Sequence, residues 1–173
     1  MKFALVANPR HPQAAEKLEA LLGLVGDAEL EEATAQLLGR EGTPLPELQG
    51  ELLLTLGGDG TLLYALSQLD LPVFGINIGQ VGFLTESEFG DTLEANLERL
   101  KAGDYDVEKL QRLEVRLNGL SVGQALNEAV IHTARVAKIQ KFRISLNGQI
   151  ADEFRADGVI VATPTGSTSY AMS

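Results

Sequence analysis

At 173 residues the chain suits one ordinary domain or two small ones, with enough length for a real core. A net charge of −10 gives no basic footprint for nucleic acid or an anionic membrane, and the lack of cysteine excludes disulfides, thiolate chemistry and zinc–thiolate sites. Apolar residues at 45% and charged ones at 22% are the balance of a soluble globular protein; no stretch approaches the roughly 18 apolar residues of a membrane span, so cytoplasmic residence is the default.

The first hundred residues alternate strand-like and helix-like segments. Lys2–Ala7 reads as a strand; its apolar run is too short for a signal sequence and is broken by Asn8-Pro9-Arg10. Ala14–Leu22 follows as a helix, and the pattern predicts a second helix over Ala28–Leu38. Arg40–Gln49, with Gly42, Pro44 and Pro46, is a loop. A strand over 51–56, a glycine turn, a helix over Leu62–Leu69 and a strand over Val73–Ile78 come next. Glu88–Leu100 then reads as a helix with Phe89, Leu93, Leu97 and Leu100 on one face. Such alternation implies a parallel sheet with both faces covered, whose ligands gather beyond the carboxyl ends of the strands.

Near Gly103-Asp104 the helical period stops. Leu113–Leu117 and Val122–Leu126 flank Asn118-Gly119, and Phe142–Leu146 and Ile150–Phe154 flank Asn147-Gly148, each an Asn-Gly hairpin signal. Val159–Ala162 follows as a more buried strand. The expected fold class is α/β: a Rossmann-like parallel-sheet domain over 1–104, then a partial β-rich, sandwich-like domain over 105–173. Ser167 or Thr168 could cap a final helix, for which few residues remain.

Gly57-Gly58-Asp59-Gly60-Thr61 lies between a predicted strand and a predicted helix. Glycines 57, 58 and 60 permit unusual backbone angles and close approach of a ligand, and a helix starting near Thr61 would turn free N–H groups toward phosphate. Asp59 is an awkward charge for an anion site unless it handles a proton or a divalent cation; the alternative is a tight turn with Asp59 as a cap. No Gly-Lys-Ser/Thr follows, so this is not a Walker loop. Asn77-Ile78-Gly79-Gln80-Val81-Gly82-Phe83-Leu84 ends the next strand and should lie beside that turn, with Phe83 either a wall for a ring or plain core. Asn127-Glu128 interrupts an apolar run, so one of the two should face inward unless the strand is an edge or bulged. Asp157-Gly158, with Arg155 nearby, reads alone as a surface turn. Thr163-Pro164-Thr165-Gly166-Ser167-Thr168-Ser169-Tyr170 offers hydroxyls and a phenol suited to a base or ribose, or to an ordinary turn. His11 and His132 are far apart and read as structural or exposed, and no metal ligand set emerges.

Taken together, in order and over nearly the whole chain, these segments resemble the NAD kinase family. The Gly-Gly-Asp-Gly-Thr turn alone is shared with diacylglycerol-type and sphingosine-type lipid kinases and with phosphofructokinase-like folds; the 163–170 segment is far more specific. The resemblance implies transfer of a phosphoryl group from ATP or polyphosphate, with Mg²⁺ or another divalent cation, to the 2′-hydroxyl on the adenosine ribose of NAD. It implies Asp59 as the catalytic aspartate, with Gly57, Gly58, Gly60 and Thr61 at the phosphates. Asp59, Gly60, Phe83, Asn127, Glu128, Asp157, Thr165, Thr168, Ser169 and Tyr170 would meet NAD. Arg112 matches another recurrent family position. A homodimer or homotetramer is implied, with no nucleic-acid or membrane partner. The family's members continue past Ser173, so the chain is expected to be a C-terminally truncated member with little activity of its own. A lipid kinase and a non-catalytic NAD or NADP sensor are the competing readings.

Overall fold

A computed structural model describes residues 1–80, 82–134 and 138–172; Val81, within the second glycine-containing turn, lies outside them. The chain divides into two compact units, Met1–Glu108 and Lys109–Ser173.

The first unit is a five-stranded parallel sheet in the order β2-β1-β3-β4-β5. Its strands are β1 (Phe3–Ala7), β2 (Ala28–Leu30), β3 (Leu52–Gly57), β4 (Val73–Asn77) and the two-residue β5 (Ser87–Glu88). The apolar runs become strands buried on both sides because alternate residues feed two cores. Phe3, Leu5 and Ala7 of β1 join Leu52, Leu54 and Leu56 of β3 beneath α1 (Ala14–Val25) and α4 (Leu93–Ala102), which contribute Leu18, Leu21, Leu93, Leu97 and Leu100. Ala4, Val6 and Leu53 point the other way, against Ala65 of α3 (Asp59–Leu66) and Leu45, Leu48 and Leu69. Each fully buried leucine stabilises the unit by roughly 1.5–3 kcal/mol. α4 ends at Gly103 in the left-handed conformation (φ 75°), its N–H returning to Leu100 O at 3.0 Å.

Two predicted helices are corrected. Residues 28–38 split into strand β2, paired with β1 from Phe3↔Ala28 to Leu5↔Leu30, and the short helix α2 (Glu32–Gln36). Sheet pairing overrides helix propensity here, and Glu31 marks the break. Extended and only 5% exposed, it accepts hydrogen bonds from Thr34 N and Thr34 Oγ1, each at 2.9 Å. Thr34 Oγ1 in turn accepts the Ala7 N–H at 2.8 Å, fixing α2 to the end of β1. The helix expected from Glu88 starts only at Leu93, because Ser87 and Glu88 pair with Ile76 and Asn77 of β4. Phe89 nonetheless packs on the core, its N–H donating to Asn77 O at 2.9 Å.

The second unit contains three two-stranded antiparallel ladders. Strands β6 (Leu113–Leu117) and β7 (Leu120–Ala125) form one hairpin; β9 (Gln140–Leu146) and β10 (Gln149–Ala156) form another. At the turns Asn118 and Asn147 (both φ 51°) precede Gly119 (φ 84°) and Gly148 (φ 80°), the backbone that makes Asn-Gly a hairpin turn. Phe142 and Phe154 stack across the second hairpin at 6.2 Å between ring centres. The third ladder pairs β8 (Glu128–His132) with β11 (Gly158–Ala162). Strand β11 is half-buried, more so than the strands of the two hairpins as expected, with Val161 exposed. Two short 3-10 turns, Gly166–Thr168 and Tyr170–Met172, stand where a capped helix was considered.

Candidate functional site

In the first unit the parallel register Gly57↔Asn77 puts the two glycine-containing segments side by side at the carboxyl edge of the sheet. The glycines supply space rather than the unusual backbone angles expected of them. None of Gly57, Gly58 and Gly60 has positive φ. At Gly57 a Cβ would lie 2.1 Å from Thr61 Oγ1, so the missing side chain is what seats the first turn of α3 on the strand end. Around Gly58 and Gly60 a Cβ would meet nothing within 4 Å, which leaves that face of the turn open. Gly58 is the extended N-cap, and helix α3 runs over Asp59–Leu66, three residues earlier at each end than the predicted Leu62–Leu69. The first N–H groups of a helix lack intrahelical acceptors, and a carboxylate in the first turn is favoured by the helix dipole. Asp59 is therefore less awkward than its charge alone suggests.

The Asp59 carboxylate is fixed by the neighbouring segment. The Phe83 amide donates to Oδ2 at 2.9 Å and the Leu84 amide to Oδ1 at 3.1 Å. Gly82 makes this approach possible, since a Cβ there would sit 2.0 Å from Asp59 Oδ1. The Phe83 ring is 87% exposed, which overturns the core alternative and leaves it a flat apolar surface beside Asp59.

Two residues hold this segment: Asn77, which opens the motif read from the sequence but has no role assigned there, and Glu86, which sequence reasoning did not single out. Asn77, 3% exposed, donates from Nδ2 to Gln80 O at 2.7 Å and to Thr85 Oγ1 at 3.2 Å, while its Oδ1 accepts the Gly79 N–H at 2.7 Å. Glu86 grips the edge of β4: its Oε2 accepts the Gly75 N–H at 2.6 Å and its own N–H donates to Gly75 O at 3.0 Å. Although the residue keeps an exposed side, its carboxylate lies against strand backbone. Burial pushes that carboxyl above the ordinary glutamate value; the Gly75 amide opposes this, while Asp59 and Glu108 add to it.

In the second unit, Asn127 precedes β8 and Glu128 opens it, and the turn after β11 docks on Leu126 and Asn127. Thr163 N donates to Asn127 O at 2.8 Å, Thr163 Oγ1 donates to Leu126 O at 2.6 Å, and the Gly166 N–H donates to Thr163 Oγ1 at 3.0 Å. A Cβ on Gly166 would meet Asn127 O at 2.1 Å, so only glycine fits. Asn127 Oδ1 and Glu128 Oε2 are buried with no hydrogen-bond partner. Such orphaned atoms cost about 1–3 kcal/mol each unless something else satisfies them, and they are the unit's clearest sign of a ligand.

The remaining expected residues divide. Thr165 is half-buried in the docked turn; Thr168, Ser169 and Tyr170 are exposed, with Thr168 Oγ1 donating to Thr165 O at 3.3 Å. Asp157 stands apart. The register from Ala162↔Glu128 to Gly158↔His132 puts it just past the opposite end of the β8–β11 ladder from Asn127 and Glu128, about 17 Å along the strand from the position facing Glu128. Among the described residues no group of three or more His, Asp or Glu side chains converges into a metal cage.

The chain matches the family model for the ATP-NAD kinase N-terminal domain over residues 38–105 and that for the ATP-NAD kinase C-terminal domain over 126–173. It is 40% identical over 182 residues to an NAD kinase of Methanoculleus marisnigri, aligning 100% of this chain with 66% of that protein. A crystal structure of an NAD kinase from Archaeoglobus fulgidus in complex with ATP superposes with a TM-score of 0.78 at 32% identity, covering 99% of this chain and 64% of that one. The yeast NADH kinase complexed with NADH gives a TM-score of 0.86 at 20% identity, over 99% and 60% of the two chains, and shows the shared fold. The chain spans about half to two thirds of the length of the curated relatives it matches.

Proposed function

The chain belongs to the NAD kinase family, and from that premise we propose that the full-length protein phosphorylates the 2′-hydroxyl on the adenosine ribose of NAD, with ATP as donor, to give NADP. The observation that carries the reading is Asp59, a carboxylate held by the Phe83 and Leu84 amides beside the glycine turn at the carboxyl edge of the sheet.

A ribose hydroxyl is far less acidic than a carboxylic acid, so Asp59 does not deprotonate it in advance. It orients the hydroxyl and accepts its proton while the new O–P bond forms and the bond from the γ-phosphorus to the bridging oxygen breaks, releasing ADP. Phosphoryl transfer has a loose transition state, so positioning and charge neutralisation supply most of the acceleration. The open space beside Gly58 and Gly60 and the N-terminal end of α3 suit the donor phosphates. A divalent cation, Mg²⁺ above all, would enter with those phosphates and neutralise their charge, since such ions commonly use one or two carboxylates plus phosphate oxygens; Asp59 is the side chain that could meet it. Asn127 and Glu128, with their unpartnered oxygens, are proposed to take hydrogen bonds from the dinucleotide, joined by Thr165, Thr168, Ser169, Tyr170 and Asp157. The exposed Phe83 ring offers a face for a base. We read the protein as a cytoplasmic homodimer or homotetramer on the family resemblance; among the described residues no helix is long and apolar enough to cross a membrane.

The test is product analysis of the full-length protein. Incubation with NAD and ATP should yield a product that an NADP-specific dehydrogenase reduces, with polyphosphate in a parallel arm to settle the donor. Binding of NAD without turnover would favour a sensor, and phosphorylation of diacylglycerol instead of NAD would favour the lipid-kinase alternative.

A further inference from the structure

Glu86 lies outside every site residue assigned above, yet it completes the support of Asp59. Between Ile78 and Glu86 the chain leaves the sheet and returns to it. At the outgoing end Asn77 ties down Gly79, Gln80 and Thr85 with one buried side chain. At the returning end strand β5 pairs with β4 only at Ile76↔Ser87 and Asn77↔Glu88, which leaves the outer edge of Gly75 without a strand partner. Glu86 fills that position, taking the Gly75 N–H on its carboxylate at 2.6 Å and giving its own N–H to Gly75 O at 3.0 Å. Two residues before this clamp, Leu84 presents its amide to Asp59, and Phe83 presents the other.

We propose that Glu86 is a positioning residue for the phosphoryl transfer: by closing residues 82–86 onto Gly75, it keeps the Phe83 and Leu84 amides where they hold the Asp59 carboxylate. The inference rests on the reading of Asp59 as the proton acceptor. Glu86 touches neither substrate in this account, and its effect passes through the segment. A loosened segment lets the carboxylate turn within the turn, and displacement of a reacting group by about 1 Å can cost on the order of 100-fold in rate.

The experiment is a mutant cycle in the full-length protein, read as steady-state NADP formation with kcat and the KM values for NAD and ATP. Glu86→Ala should lower kcat about 10- to 100-fold while both KM values stay within about threefold. Glu86→Gln keeps an oxygen acceptor for Gly75 and should restore kcat to within about threefold of the parent. Placed on Asp59→Asn, Glu86→Ala should produce no further loss, because the group it positions is gone. Asn77→Asp, which keeps the Gly79 bond and loses both donated ones, should give the same kcat-only loss and covers the case in which Glu86→Ala does not fold. The proposal is overturned if Glu86→Ala keeps kcat within about twofold, if Glu86→Gln fails to rescue, or if the whole loss reappears on the Asp59→Asn background. Asp59→Asn with parental turnover would instead overturn the Asp59 reading, so the two failures are distinct.

Discussion

Gly82 and Asp59 are so close that a single methyl on Gly82 would lie 2.0 Å from Asp59 Oδ1 and 2.7 Å from its Cγ. Asp59 cannot step aside without surrendering the amide bonds from Phe83 and Leu84. Gly82→Ala should therefore displace the carboxylate and lower kcat on the order of 100-fold, with the KM for ATP changing much less. Steady-state kinetics checks this; an alanine variant with parental kcat would mean that the carboxylate is free to move.

Gly166 stands in the same relation to backbone. Its added Cβ would meet Asn127 O, C and Cα at 2.1, 2.3 and 2.6 Å, and backbone atoms cannot rotate away as a flexible side chain would. Gly166→Ala should cost roughly 1–3 kcal/mol in urea unfolding by overpacking, and should weaken NAD binding as the 163–170 turn lifts from Asn127. Equilibrium unfolding and dinucleotide titration together test it.

Thr34 joins α2 to β1 through one hydroxyl, which donates to Glu31 Oε2 and accepts from the Ala7 amide. Thr34→Val keeps the shape, strands the buried Ala7 amide and leaves Glu31 Oε2 with only the Thr34 N–H, at a cost of about 1–3 kcal/mol. Thr34→Ser should recover most of that stability in the same unfolding measurement.

Glu86 supplies a pH signature. Its carboxyl is raised in the fold, first by burial and further by Asp59 and Glu108. A group raised on folding favours the fold fully below its unfolded value, near 4.3, and that contribution is lost as pH rises through the folded value. Glu86→Gln removes the titration, so its stability relative to the parent should increase from about pH 4 toward neutrality. Unfolding midpoints at several pH values check the direction; a constant difference would show that Glu86 does not titrate differently in the fold.

Much of this architecture was legible in residue order. The apolar runs at 3–7 and 52–56 and the two Asn-Gly turns carry their structure locally, through two-sided burial and positive φ. Residues 28–38 misled because Glu-Leu-Glu-Glu has helical propensity, whereas pairing with β1 is a tertiary event. At the candidate site the glycines were visible but their reasons were not. Gly57 and Gly82 are required by side chains that approach them, Thr61 and Asp59, and only folding brings those into contact. Glu86 had no sequence signal at all, since its partner is the backbone of Gly75. Asn127 and Glu128 combine the two alternatives read from the sequence: each hides an unpartnered oxygen, and among the described residues β8 pairs on one side only, with β11, as an edge strand does.

The central claim is that Asp59 accepts the proton of the ribose hydroxyl, and the kcat of Asp59→Asn in the full-length protein tests it most directly. Asparagine keeps the size of the side chain and removes its basicity. A fall in kcat of roughly 10²–10⁴-fold, the usual worth of a general base, is expected. Turnover close to that of the parent would contradict it and would leave Asp59 as a positioner of phosphate or metal.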